Sequence, residues 1–161
     1  MAIQTGERIP DATLTIAGPE GPRQVSTQEF FAGKRTALFA VPGAFTPTCS
    51  AKHLPGFKQR ASDLKARGID QIACISVNDA FVMAAWAADQ GITDEVVMLA
   101  DGSGDVTRAL GLDADFSRFG MGTRSQRYSM VINDGVVESL NVEAPGEFRV
   151  SSAEFMVDSL A

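Results

Sequence analysis

The side chains of this sequence best suited to covalent chemistry are two cysteines, Cys49 and Cys74, and one histidine, His53. Two cysteines do not form the disulfide framework of a secreted domain, and with a single histidine they fall short of the four soft ligands of a structural zinc site. The two cysteines sit in different surroundings. Cys49 follows an apolar run, Thr36–Val41, and a loop stiffened by Pro42 and Pro47, and it falls in the first turn of a predicted helix. The free N–H groups and the dipole at a helix start favour an anion, and a thiolate is that anion. Thr46, three residues earlier, offers a hydroxyl to the same spot, and Pro42 and Pro47 shield it from water. Cys74 lies inside the apolar run Gln71–Val77, three residues short of its carboxyl end. At ~3.3 Å per residue it sits about 10 Å below the edge that carries Cys49. Direct pairing needs Cα atoms within ~4.4–6.8 Å, so Cys74 reads as a small core residue.

The elements that must hold these residues follow from periodicity. Thr36–Val41, Gln71–Val77 and Val96–Ala100 are almost continuously apolar, the pattern of strands covered on both faces. Arg127–Asn133 and Val136–Val142 flank Asp134-Gly135, a strong hairpin signal. The segment Ala17–Pro22 is a turn between short early strands. One helix is expected over Thr48–Arg67, kinked near Leu54 by Pro55. Asn78 is expected to cap a helix over Asp79–Gln90 that ends at Gly91. Ser103 or Asp105 starts a short helix, and Ser151 or Ser152 starts the last. Crossover helices imply parallel strands first, and the hairpin adds antiparallel ones. The expected architecture is α/β, a mixed central sheet with helices on both faces, and residues 1–161 read as one domain. In such sheets ligands bind beyond the carboxyl ends of the strands, the edge where Cys49 lies.

Composition narrows the function class. The 161 residues are 45% hydrophobic and 21% charged, a globular mix. Fourteen basic against twenty acidic residues give a net charge of −6, which disfavours nucleic acid as a partner. No apolar run approaches the ~18 residues of a membrane span, and no apolar signal core opens the chain, so a cytoplasmic protein is expected.

The string Pro42-x-x-x-Thr46-x-x-Cys49, within PGAFTPTCSAKHLPGF, resembles the active-site pattern of the peroxiredoxins, in particular the type II, peroxiredoxin-5-like subfamily. Ser76–Phe81, Leu99–Asp101, Arg124–Met130 and Asn141–Glu143 resemble that subfamily too. The resemblance implies a thioredoxin-like fold and a thiol peroxidase. Cys49 matches its peroxidatic nucleophile, Thr46 the residue that hydrogen-bonds the peroxide, and Pro42 the shielding proline. The family's active-site arginine precedes an aromatic-led strand. That position is Arg127, before Tyr128, with Arg124 as the competing candidate. The thiolate attacks the O–O bond, and Arg127, the Thr46 hydroxyl and nearby backbone N–H groups stabilise the charge on the departing oxygen. Cys49 leaves as a sulfenic acid, with no metal, haem or flavin cofactor.

Some members carry a resolving cysteine near the C-terminus, where this chain has Val150-Ser151-Ser152. The resemblance therefore implies an external thiol, glutaredoxin with glutathione or else thioredoxin, and a homodimer through the catalytic edge. Phe45, Phe81 and Phe119 fall near that edge and could anchor a partner. His53 invites a Cys–His hydrolase reading, but its i,i+4 spacing from Cys49 is not the usual arrangement, and a local hydrogen bond near the helix kink is expected instead. Cys49-Ser50-Ala51-Lys52 is not a C-x-x-C motif, and the Gly102 and Gly120 pairs lack the third glycine of a dinucleotide loop. A peroxide sensor or binding module of the same fold is the alternative to a peroxidase.

Overall fold

The computed structural model describes residues 1–160; Ala161, the last residue of the expected domain, lies outside them. In chain order the elements are β1 (Thr13–Gly18), β2 (Gly21–Ser26), α1 (Thr27–Phe31) and β3 (Arg35–Ala40). A π-helical turn at Cys49–His53 leads into α2 (Leu54–Gln59) and α3 (Ala61–Ala66), followed by β4 (Gln71–Ser76), α4 (Ala80–Asp89), β5 (Val97–Ala100) and α5 (Asp105–Ala109). Then come β6 (Asp113–Asp115), β7 (Thr123–Ser125), β8 (Tyr128–Asn133), β9 (Val136–Val142) and α6 (Ala153–Ser159). Seven strands form one sheet in the order β2-β1-β5-β4-β3-β8-β9, and β6 and β7 form a separate pair. β3, β4 and β5 are parallel, and the remaining pairings are antiparallel. This is the expected mixed sheet.

Alternation along β3 divides the core. Ala37 and Phe39 face one layer with Leu54, Phe57, Leu64, Trp86 and Met156; Leu38 and Ala40 face the other with Phe30, Phe31, Val106 and Leu110. Helices α2, α3, α4 and α6 thus cover one face, and α1 and α5 the other. Both cysteines belong to the first layer. Phe39 and Phe57 stack there, with centroids 4.1 Å apart and planes 5° from parallel, clamping the cysteine-bearing helix to the sheet.

Two local expectations are corrected, and three short elements are new. The segment expected as one kinked helix is three pieces. Pro55 has no N–H to bond the Ala51 carbonyl and its ring crowds that position, so the preceding turn opens to a π-turn in which the Leu54 amide bonds the Cys49 carbonyl. A second break falls at Arg60. Asp79, not Asn78, caps α4, accepting from the Val82 amide at 2.8 Å. β6, β7 and the one-turn α1 are too short to carry a periodic signal.

Candidate active site

The loop from β3 to Cys49 is held at several points. The Ala44 amide donates to Asn78 Oδ1 at 3.0 Å, and the Ser76 hydroxyl donates to the same oxygen at 2.5 Å. Asn78 therefore ties this loop to the end of β4 instead of capping a helix. A side chain on Gly43 would come within 3.2–3.3 Å of Thr46, Arg124 and Met121, so the close approach here favours glycine. Phe45 has φ +62°, in the left-handed region that bulky residues avoid, and its ring is exposed. Behind the loop, Trp86 Nε1 donates to the Ser50 hydroxyl at 3.0 Å, joining α4 to the π-turn.

Cys49 is fully buried. Arg127, one residue ahead of β8, donates through Nη2 to Cys49 Sγ at 3.0 Å. Its other terminal nitrogen, Nη1, lies 2.8 Å from His53 Nδ1. Arg127 also lies over the Phe148 ring at 5.8 Å. Arg124, the competing candidate, is occupied elsewhere, donating to the carbonyls of Met121 and Val77. One guanidinium fork thus spans the two ends of the π-turn. Cys49 and His53 do share a helix face, but Arg127 stands between them, and the imidazole is not placed as a base for the thiol.

The local partner expected for His53 is also corrected. Its Nε2 lies 2.9 Å from the carbonyl of Ser151, 98 residues away. Burial, and secondarily the Arg127 charge, lower its pKa to about 3. Ser151 is held by Glu143, a residue with no role in the sequence reading. The Glu143 carboxylate accepts from the amides of Arg149, Val150 and Ser151 and from the Ser151 hydroxyl, all at 2.7–2.9 Å. Burial pushes this carboxyl up, but the bonds from Arg149, Ser151 and Val150 outweigh it and leave it below the usual carboxylate range. This nest gives no periodic sequence signal; the string Asn141-Val142-Glu143 alone marked the position.

A buried neutral histidine makes stability depend on pH. The unfolded chain binds a proton at His53 near pH 6.5, whereas the folded chain resists it down to about pH 3. The contribution is complete above about pH 6.5 and is lost as pH falls toward the folded value. Between about pH 6.5 and about pH 5 most carboxylates have not begun to titrate, so urea unfolding there should show stability falling by up to ~1.4 kcal/mol per pH unit. A His53→Phe variant should be flat over the same interval. A wild-type profile equally flat would contradict the neutral buried imidazole.

Thr46 donates its hydroxyl hydrogen to the Gly43 carbonyl at 2.7 Å. It therefore presents lone pairs, where the sequence reading had cast it as a donor to developing charge. Pro42, Thr46, Pro47 and Arg127 line a cavity of about 540 Å³ together with Phe116 and Phe148. Cys74 is also fully buried, paired across the sheet with Phe39 and Met98. Burial, and then the neighbouring Cys49, push its thiol well up, so it stays protonated. Among the described residues, no helix is long and apolar enough to cross a membrane.

Comparison with known proteins places the whole chain. Residues 4–156 match the Redoxin family model. The chain is 52% identical to chloroplastic peroxiredoxin-2E of Arabidopsis thaliana, over 99% of its own length and 70% of that protein's. It superposes on the crystal structure of reduced Prx3 of Vibrio vulnificus in complex with hydrogen peroxide with TM-score 0.94 and 53% identity, covering 99% of both chains. Peroxiredoxin 5 from Alvinella pompejana superposes with TM-score 0.86 and 35% identity, over 98% of this chain and 97% of that one. A match of this extent, joined to a thioredoxin-like fold with a thiol and a guanidinium in contact, makes this chain a member of the peroxiredoxins, of the type II, peroxiredoxin-5-like kind, and a thiol-dependent peroxidase.

Proposed function

We propose that Cys49 is the nucleophile of this peroxidase and that Arg127, Thr46 and Pro42 complete its site. The observation that carries the reading is the 3.0 Å contact between Arg127 Nη2 and Cys49 Sγ. A guanidinium in contact with sulfur is placed to pair with the charge that the attacking sulfur carries. The thiolate attacks the terminal oxygen of a hydroperoxide; the S–O bond forms as the O–O bond breaks. The bonding pair leaves on the distal oxygen, which takes a proton and departs as water or an alcohol. Cys49 becomes the sulfenic acid. Arg127 stabilises charge on the leaving oxygen. The Thr46 oxygen, its own hydrogen committed to Gly43, accepts the peroxide O–H. Pro42 narrows the approach and contributes no N–H donor of its own. The aromatic wall of the cavity, Phe116 and Phe148, suits the carbon tail of an organic hydroperoxide alongside hydrogen peroxide itself.

The sulfenic acid is reduced by an external thiol, glutaredoxin with glutathione or thioredoxin. Supporting this, Cys74 is buried and protonated, and the chain has no third cysteine. Residues 1–161 act as one peroxiredoxin domain without a cofactor, in the cytoplasm, where reduced thiols are maintained. The exposed rings of Phe119 on the cavity wall and of Phe45 beside Thr46 suit a homodimer through this edge. A coupled steady-state assay comparing thioredoxin with glutaredoxin plus glutathione tests the recycling step. Turnover with at least one of them is expected, unchanged in Cys74→Ser. Loss of all turnover in Cys74→Ser would overturn the external-thiol scheme.

A further inference from the structure

We infer that His53 is a positioning residue for peroxide reduction: fixed in its Nε2–H form by the Ser151 carbonyl, it accepts a hydrogen bond from Arg127 and so sets that guanidinium against Cys49. The inference rests on the proposed roles of Cys49 and Arg127 and adds what keeps the arginine in place.

The tautomer follows from the partners alone. Ser151 O is a carbonyl and can only accept, so the ring nitrogen 2.9 Å from it, Nε2, carries the hydrogen. Arg127 Nη1 can only donate, so Nδ1, 2.8 Å from it, carries none. An imidazolium would set an N–H against an N–H. A single neutral form satisfies both neighbours.

The anchor is rigid at its far end. The Ser151 peptide whose carbonyl receives Nε2–H directly follows the turn gathered by the Glu143 carboxylate, which takes the Ser151 amide and hydroxyl together. The ring itself is fully buried, tilted against Phe39 at 4.8 Å and edge-on to Phe148 at 5.0 Å. A guanidinium on a long, flexible stem adopts many rotamers when free. Here Nη1 is held by His53, which leaves Nη2 aimed at Sγ. The chain of contacts runs Glu143, Ser151, His53, Arg127, Cys49, and its first two members lie in a segment remote in sequence from the cysteine.

The test compares two reactions of Cys49. Peroxide reduction needs the thiolate and an oriented guanidinium; alkylation by iodoacetamide needs the thiolate and makes no demand on the departing oxygen. His53→Phe keeps the aromatic packing and removes the acceptor. It should slow the reaction with hydrogen peroxide on the order of 10²-fold, the cost of a misplaced group, while alkylation falls far less. His53→Asn, whose Oδ1 can stand near the Nδ1 position, should recover most of the peroxide rate. A folded His53→Phe with wild-type peroxide kinetics, or with equal losses in both reactions, would overturn the inference and leave the Cys49 assignment standing. A Cys49→Ser control that still turned over would instead remove the assignment itself. Should His53→Phe fail to fold, the wild type decides. His53 is the single histidine of the chain, so one ¹⁵N-labelled imidazole reports alone. Protonation at Nε2 with a bare Nδ1, unchanged from about pH 8 to about pH 5, is expected. The opposite tautomer, or an imidazolium within that range, would overturn the inference.

Discussion

Replacing Cys49 by serine should reduce peroxide consumption to the level of the buffer while leaving the fold intact. The reaction needs a nucleophile that is an anion near neutral pH and that survives one oxidation as a reversible acid. A thiolate meets both conditions, and an alcohol meets neither. The surroundings should tolerate the exchange. Cys49 is fully buried, but serine is close in size, and its oxygen can accept from Arg127 Nη2 where the sulfur does. Dithiothreitol-driven consumption of hydrogen peroxide, followed beside urea unfolding, separates the two effects. Residual turnover above background in a folded Cys49→Ser protein would shift the chemistry to Cys74, the one other thiol. The burial of Cys74 argues against that outcome.

The second largest loss is expected at Arg127. Arg127→Ala should lower kcat/KM for peroxide about 10²–10³-fold, the range found when one donor to a developing oxyanion is removed. Arg127→Lys should recover little of it. The planar fork reaches Cys49 through one terminal nitrogen and His53 through the other, whereas an ammonium is a single point on its stem. Arg124→Ala is the control, since that side chain donates to the backbone carbonyls of Met121 and Val77. It should alter stability and leave the peroxide rate constant near wild type. Equal kinetic losses at both arginines would withdraw the special role given to Arg127.

The residues of the proposed site that the sequence singles out are those whose meaning is local. Thr46 and Cys49 are three residues apart at a strand-to-helix turn, and Arg127 touches the start of an apolar strand, so short strings carry them. The same holds for β3, β4, β8 and β9: the last coincides with its apolar run, and the others differ from theirs by no more than one residue at an end. What was misread depends on distant partners. His53 was assigned a neighbour near the helix kink, but its partner is Ser151, and no periodicity links positions 53 and 151. Asn78 and Asp79 are adjacent residues of nearly equal capping strength. Which one caps is decided by the Ala44 amide, which takes Asn78 away. Glu143 was overlooked because its donors come from a turn that a carboxylate organises only once the chain is folded. Pro55 marks a disturbed helix in the sequence, but a proline that kinks a helix and one that opens the preceding turn to a π-turn leave the same sequence signal.

The complete burial of Cys49 acts as a sieve in time. On the proposed reading, a peroxide of a few atoms approaches Cys49 from the cavity that Pro42, Thr46 and Arg127 line, with the helix closed. The protein reductant proposed above is far too large for that route, and sulfur must meet sulfur in line. On that proposal the oxidised form unwinds before it is recycled, and the wide turn from Cys49 to His53 is the stretch expected to open. Oxidation then scales with peroxide concentration, while recycling levels off at the opening rate however much reductant is present. The site that disarms an oxidant quickly has, by the same geometry, a fixed maximum frequency.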